Sequence, residues 1–307
     1  MTICSLLPSS TEILFALGLG DDVVAVTHEC DYPPAARGRP VITGSVLDRK
    51  DLPGAEIDAR SREQLHGAGS IYHLDTALLH RLAPDLIITQ ALCEVCAVAY
   101  PLVEEAALGL ERPARVLALE PTTLDEVWRS IEEVGEATGR LAAARACAEL
   151  LRRRVARVAE RAASAPSRPR VLCLEWIDPP FGPGQWLPEM VELAGGSGGL
   201  GEVGKPSRRL AWAEVEVFRP DVIVIMPCGF GLERGRQELA RASLPEFWPA
   251  LPAVRQGRLH VVDGNAYFNR PGPRLAESLE LLAHLIHPEL FAAPTAAPED
   301  EYVTITP

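Results

Sequence analysis

The sequence has no excess of positive charge: 30 Lys and Arg stand against 42 Asp and Glu, a formal charge of −12. A chain this acidic repels phosphate backbones and anionic bilayers as a whole, which argues against nucleic acid as a partner. It also lacks any run near the roughly 20 uninterrupted apolar residues that a membrane-spanning helix needs, so no membrane insertion is expected. Its start, MTICSLLPSSTEILFALG, has no basic stretch and no small-residue cleavage site, and it contains Pro8 and Glu12. That start reads as a strand running into a helix rather than an export signal, and the expected compartment is the cytoplasm. Seven cysteines make an odd count. Without an export signal, that favours free or metal-bound thiols over a disulfide framework. No Ser-His-Asp order, nucleophile elbow or HExxH is present, so nothing supports a hydrolase and no catalytic residue is assigned.

What is present is alternation. Apolar, β-branched runs (TICSLL, VVAVT, DLIITQ, RVLALEP, RVLCLEW, DVIVIMP, RLHVVDG) are separated by helical patterns, the mark of parallel sheets covered by helices. Ser9 with Glu12, and Thr123 with Glu126, form capping-box patterns that place two helix starts. From 123 to 163 helix formers run almost unbroken, with Gly135 and Gly139 as points where the element can bend or divide. With 307 residues, two domains are expected: an α/β lobe over 1–121, a linking helix over 122–165, a second α/β lobe over 166–291, and a mobile Pro/Ala-rich acidic tail over 292–307.

The chemically distinctive residues follow the strand-like runs. His28 and Cys30 end VVAVTHEC, Cys93 and Cys96 follow DLIITQ, and Cys228 follows DVIVIMP. Ligand sites of open α/β sheets form at the carboxyl ends of parallel strands, so these groups point to a cleft. Cys93 and Cys96 have the two-residue spacing of a tetrahedral metal site or a redox pair, and with His28 and Cys30 they complete a Cys₃His set suited to zinc or an iron-sulfur cluster. The other reading makes the thiols small buried hydrophobes and His28 a structural imidazole. Cys4, Cys147 and Cys173 sit inside strand or helix patterns and read as core. The loop from Glu175 to Trp186 carries Trp176 and Trp186 between prolines and glycines, a composition suited to a wall over a flat, partly apolar molecule. The stretch Gly264 to Pro273 adds Tyr267, Phe268, Asn269 and Arg270, the last two able to orient a polar group. Gly195 to Gly199 reads as a flexible turn, because no P-loop lysine follows it.

The pieces LLPSSTEILFALG, CDYPP, LAPDLIITQ, LAWAEVEVFRPDVIVIMP and YFNRPGPRLAESLELLAHLI together resemble a known family. It is that of the two-lobed, helical-backbone substrate-binding proteins of ABC importers for cobalamin, iron chelates and metals, closest to its cobalamin-binding branch. The resemblance runs from about residue 3 to 288. It implies an α/β fold of class III periplasmic-binding-protein type, with two parallel-sheet lobes joined by one long helix, ligand held between the lobes, and only small hinge movement. It also implies a binding protein rather than an enzyme, a corrinoid or related metal chelate as ligand, and an ABC permease as partner. By position it makes Tyr32, Tyr267 and Phe268 ligand-facing aromatics, with Gln90 in place of an aromatic and Ser9 and Ser10 at the first helix start. Glu214, and more approximately Asp75, stand where such proteins dock on permease arginines. The missing export signal and the HEC and CEVC stretches depart from the pattern. They make the chain look like a cytoplasmic offshoot with a thiol-rich cleft. Two other readings stay open: a metal-handling protein or metalloenzyme built on the Cys/His set, and a protein-interaction scaffold.

Overall fold

A computed structural model describes residues 1–47, 52–68, 70–91, 97–294 and 302–305, with the side chains of 67 and 68 left aside. The chain divides into two compact units, the first formed by 1–52, 56–121 and 126–149 and the second by 53–55, 122–125 and 150–307.

In the first unit the apolar runs form β1 (Ile3–Ser5), β2 (Val23–Ala25), β5 (Leu86–Thr89) and β6 (Arg115–Ala118), while β3 (Thr43–Ser45) and β4 (Tyr72–Leu74) lie between β2 and β5 in the chain. The four make one sheet in the order β2-β1-β5-β6 with every neighbour parallel; β3 and β4 pair antiparallel to each other. Helices α1 (Pro8–Ala16), α2 (Gly54–Ala68), α3 (Thr76–Leu82) and α4 (Tyr100–Leu108) connect them. Ile87, Ile88 and Leu86 are essentially inaccessible, as a central strand covered on both faces requires. Helix α1 starts one residue before the expected cap: Leu7 is the N-cap and makes no side-chain cap bond. Pro8 occupies the first turn, where its missing N–H costs nothing, and Ser9 falls inside the helix.

The stretch 123–163 divides into α5 (Leu124–Ala137) and α6 (Leu141–Ala162). The break falls at Gly139, whose φ of +71° a glycine adopts without strain. Gly135 lets the two helices approach, since a Cβ there would lie 2.3 Å from that of Ala144. Leu124, Val127, Trp128, Ile131 and Val134 make the buried stripe of α5, at the spacing of one helical face.

The second unit has β7 (Val171–Leu174), β8 (Val222–Ile225) and β9 (Leu259–Val262) in parallel, with helices α7 (Leu187–Leu193), α8 (Trp212–Phe218), α9 (Leu232–Arg241), α10 (Pro252–Arg255) and α11 (Leu275–Ile286). Helix α11 buries nine of its twelve residues and keeps Glu277, Glu280 and His284 together on its less buried face. The sheet order is β10-β9-β8-β7, where β10 (Tyr302–Ile305) pairs antiparallel with β9. That pairing corrects the expectation of a mobile tail for these four residues: Tyr-Val-Thr-Ile is a short β-branched run that completes a sheet edge. The glycine run at 195–199 is a turn, but a packed one. Gly195 accepts a hydrogen bond from the His287 ring (3.1 Å), and a Cβ on Gly196 would sit 2.7 Å from Val171. No helix among the described residues is long and apolar enough to cross a membrane.

Candidate functional site

Because all four strands of the first sheet run the same way, their carboxyl ends share one edge. Leu6, Thr27 to His28, Gln90 and Glu120 leave the sheet there. Behind that edge lies a buried network of hydroxyls. Ser5 Oγ is 2.6 Å from Ser10 Oγ and 2.8 Å from Thr11 Oγ1, and both Ser10 and Thr11 donate to the Leu7 carbonyl. The Cys30 sulfur joins this network at 3.1 Å from Thr11 Oγ1 and 3.4 Å from Thr27 Oγ1. Burial pushes the neighbouring Cys4 thiol up to about 12, with the Cys30 charge adding to the rise. Ser9 and Ser10, expected as ligand contacts, are both buried.

His28 lies beside Thr43, with Nδ1 2.8 Å from the hydroxyl, its ring centroid 5.5 Å from that of Tyr72, and Nε2 3.4 Å from Glu29. The metal reading is not supported: Cys30 sits among hydroxyls, His28 is engaged by Thr43, and Cys228 is an exposed residue of the second unit. No group of three or more metal-ligating side chains occurs among the described residues, and Cys93 and Cys96 lie outside them. Cys4 and Cys173 are core as expected, and Cys147 is half-buried.

Tyr32 is 44 % exposed at this edge and Gln90 half-buried. Past β5 and β6 a cavity of 420 Å³ opens, lined by Tyr100, Glu120, Glu126, Arg129, Ser130 and Glu133 among others. Burial raises the Glu133 carboxyl, against the pull of Arg129. With three carboxylates to one guanidinium, this lining suits hydrogen-bond donors or cations and opposes anions. The sequence reading missed it, although Glu120-Pro121 directly after a strand marks the right place.

In the second unit Glu175 directly follows β7, and its carboxylate accepts from the Gly184 amide (2.8 Å) and the Ser207 hydroxyl (2.6 Å). Burial raises its pKa, and the two donors partly offset that. These bonds fix the loop that carries both tryptophans. Trp176 is half-buried, 5.0 Å from the Phe230 ring, and donates to the Asp178 carbonyl (3.1 Å) and the Gly54 carbonyl (3.3 Å). On Phe230 lies the Arg234 guanidinium at 4.9 Å, and Arg234 pairs with the buried Glu238, which also accepts from the Gly54 amide. The Arg234 and Glu238 pair at helical spacing was the readable sign of this stack.

The other loop residues turn inward. Trp186 is 6 % exposed and donates to the Phe268 carbonyl (2.8 Å); Tyr267 and Phe268 are 3 % and 1 % exposed. Asn269 donates to the Met226 and Gly264 carbonyls, and Arg270 to Asn265. Against the expectation of ligand-facing side chains, these groups build the unit's own wall. Cys228 remains exposed, its amide bonded to the Glu175 carbonyl. Glu214 accepts from Arg208 (2.7 Å) and from the Ala211 amide (2.8 Å), which hold its carboxyl down to about 2. Asp75 caps α3 through the Leu78 amide (2.8 Å).

Comparison with known proteins matches residues 3–266 to the model of a family described as "Periplasmic binding protein". A vitamin B12-binding protein of Photorhabdus laumondii subsp. laumondii is 24 % identical over 288 residues, covering 94 % of this chain and 88 % of that one. The fold is shared with the periplasmic vitamin B12 binding protein of Vibrio cholerae (23 % identity, TM-score 0.67, 93 % and 96 % of the two chains). It is shared equally with a periplasmic heme binding protein of Pseudomonas aeruginosa (20 % identity, TM-score 0.72, 94 % and 93 %). These matches overturn the cytoplasmic expectation and imply the periplasm. That expectation rested on what the chain's start lacks, and a folded domain of ordinary composition carries no mark of its compartment. The chain belongs to the periplasmic binding protein family and is a binding protein, not an enzyme.

Proposed function

We propose that this protein is the substrate-binding component of an ABC importer and that its ligand is a corrinoid. The observation that carries the reading is the match to proteins named for vitamin B12 binding across 94 % of this chain. The chemistry of the first unit supports it over the other ligand that the structural relatives name. A heme carries ionised propionates, which Glu120, Glu126 and Glu133 would repel. A corrin ring carries neutral carboxamides, whose N–H groups donate to carboxylates. Tyr32 and Gln90 at the strand edge of the first unit are groups suited to an apolar macrocycle with polar rim substituents. An ABC permease is the partner in this reading.

Calorimetric titration with cyanocobalamin and, separately, hemin tests it. The expected result is saturable one-to-one binding of cyanocobalamin, with a dissociation constant of about 1 μM or tighter, and hemin at least about tenfold weaker. Saturable hemin binding with no heat from cyanocobalamin would overturn the corrinoid assignment and leave the family placement intact.

A further inference from the structure

The C-terminal strand is held by two histidines. Thr304 of β10 lies directly opposite His260 of β9, and its hydroxyl is 3.0 Å from His260 Nδ1. Two positions earlier, the Tyr302 hydroxyl is 3.1 Å from Nε2 of His284 on α11, with the two rings 5.8 Å apart and edge-on. The other nitrogen of His284 lies 2.8 Å from the Phe291 carbonyl. A carbonyl only accepts, so that nitrogen carries the hydrogen; in the neutral ring Nε2 then accepts from the tyrosine hydroxyl. A four-residue edge strand has few ladder bonds of its own, so these anchors matter to its retention.

His260 is poorly placed to be charged. It is 8 % exposed, and its Nε2 is buried with no hydrogen-bond partner among the described residues. Protonation would put a charged N–H there with nothing to accept it. Two groups in its surroundings oppose its protonation, Arg258 at the entrance to β9 and His284. On α11, Glu277 and Glu280 engage Arg154, and Glu289 and Asp221 act on the Arg258 guanidinium. From β10 the facing titratable group is Tyr302, and β8 contributes Val224. The face of β9 that meets α9 is formed by Val261, which leaves the α9 charges on the opposite side of the sheet from His260.

We infer that β10 is an acid-releasable strap, retained on β9 while His260 is neutral and let go when His260 takes up a proton. Burial, then Arg258 and His284, hold the His260 imidazole down to about 4 in the strapped state. The released state returns it to an ordinary value near 6.5. Release therefore binds a proton, and retention weakens as the pH falls from about 6.5 towards about 4.

Hydrogen exchange of the full chain, corrected for intrinsic rates at pH 7.5 and 4.5, reads this directly. The expected result is a loss of protection of at least tenfold for the Tyr302–Ile305 amides at the lower pH, with the Val222–Ile225 amides unchanged, and a flattened response in His260→Gln. Unchanged protection in the wild type, or equal loss in wild type and His260→Gln, would overturn the proposal. Should His260→Gln fail to retain the strand at any pH, NMR titration of the wild-type imidazoles decides. Protonation of His260 in step with loss of the strand supports the strap; protonation near 6.5 with the strand still protected refutes it.

Discussion

The two units solve the same topological problem differently at their strand ends. In the first, the residues following β2 and β5 keep accessible surface, Tyr32 exposed and Gln90 half-buried, and Glu120 after β6 joins Glu126 and Glu133 of α5 in lining an open cavity. In the second, the loops after β7 and β9 spend their polar and aromatic groups on each other. Trp186 bonds to Phe268, Asn269 to two carbonyls, and Glu175 to two loop donors. Loop composition alone does not distinguish these outcomes. In the second unit the loops' own hydrogen bonds turn most of their aromatics into core, whereas in the first the strand ends keep accessible surface.

Substitutions in the two units should separate cleanly, and the largest effect belongs to the second. Trp186→Ala removes a buried indole and its hydrogen bond to Phe268, and should lower unfolding free energy by about 3–5 kcal/mol in urea titration. A cost under about 1 kcal/mol would show that this loop is not core. Next comes Gly135→Ala, whose methyl group would meet Ala144 at 2.3 Å; forcing α5 and α6 apart should cost about 1–3 kcal/mol by thermal unfolding. Asp75→Ala takes away the cap of α3 and should cost about 1 kcal/mol, with Asp75→Asn recovering most of it. The smallest stability effect is expected at Tyr32. Tyr32→Ala should leave stability within about 0.5 kcal/mol while weakening cyanocobalamin binding about tenfold, the reverse of the Trp186 pattern.

The strand runs were legible because a buried parallel strand must be continuously apolar, and TICSLL, DLIITQ, RVLCLEW and DVIVIMP each became one. One linking helix was expected over 122–165 and two are present, but Gly139, one of the two glycines where the stretch could divide, marks the break through its positive φ. The last strand was hidden by its neighbours: the Pro/Ala-rich acidic approach set the expectation, and Tyr302 to Ile305 by themselves are an ordinary edge sequence. The surroundings of Cys30 and His28 were hidden for a different reason. Spacing shows which side chains can reach a common point, but the environment of Cys30 is set by Thr11 and Thr27, one of them on a separate helix. His28 likewise depends on Thr43, fifteen residues away, which no local pattern around HEC announces. The compartment was not legible in composition or patterning, and the family match is what implies it.

The central claim, that the open strand ends of the first unit serve a corrinoid, meets its most direct test in cyanocobalamin titrations of wild type and Tyr32→Ala side by side. The account predicts saturable binding by the wild type and a clear loss of affinity in a variant that melts at the same temperature. Absence of binding by the wild type, or identical affinities in the two proteins, would contradict it.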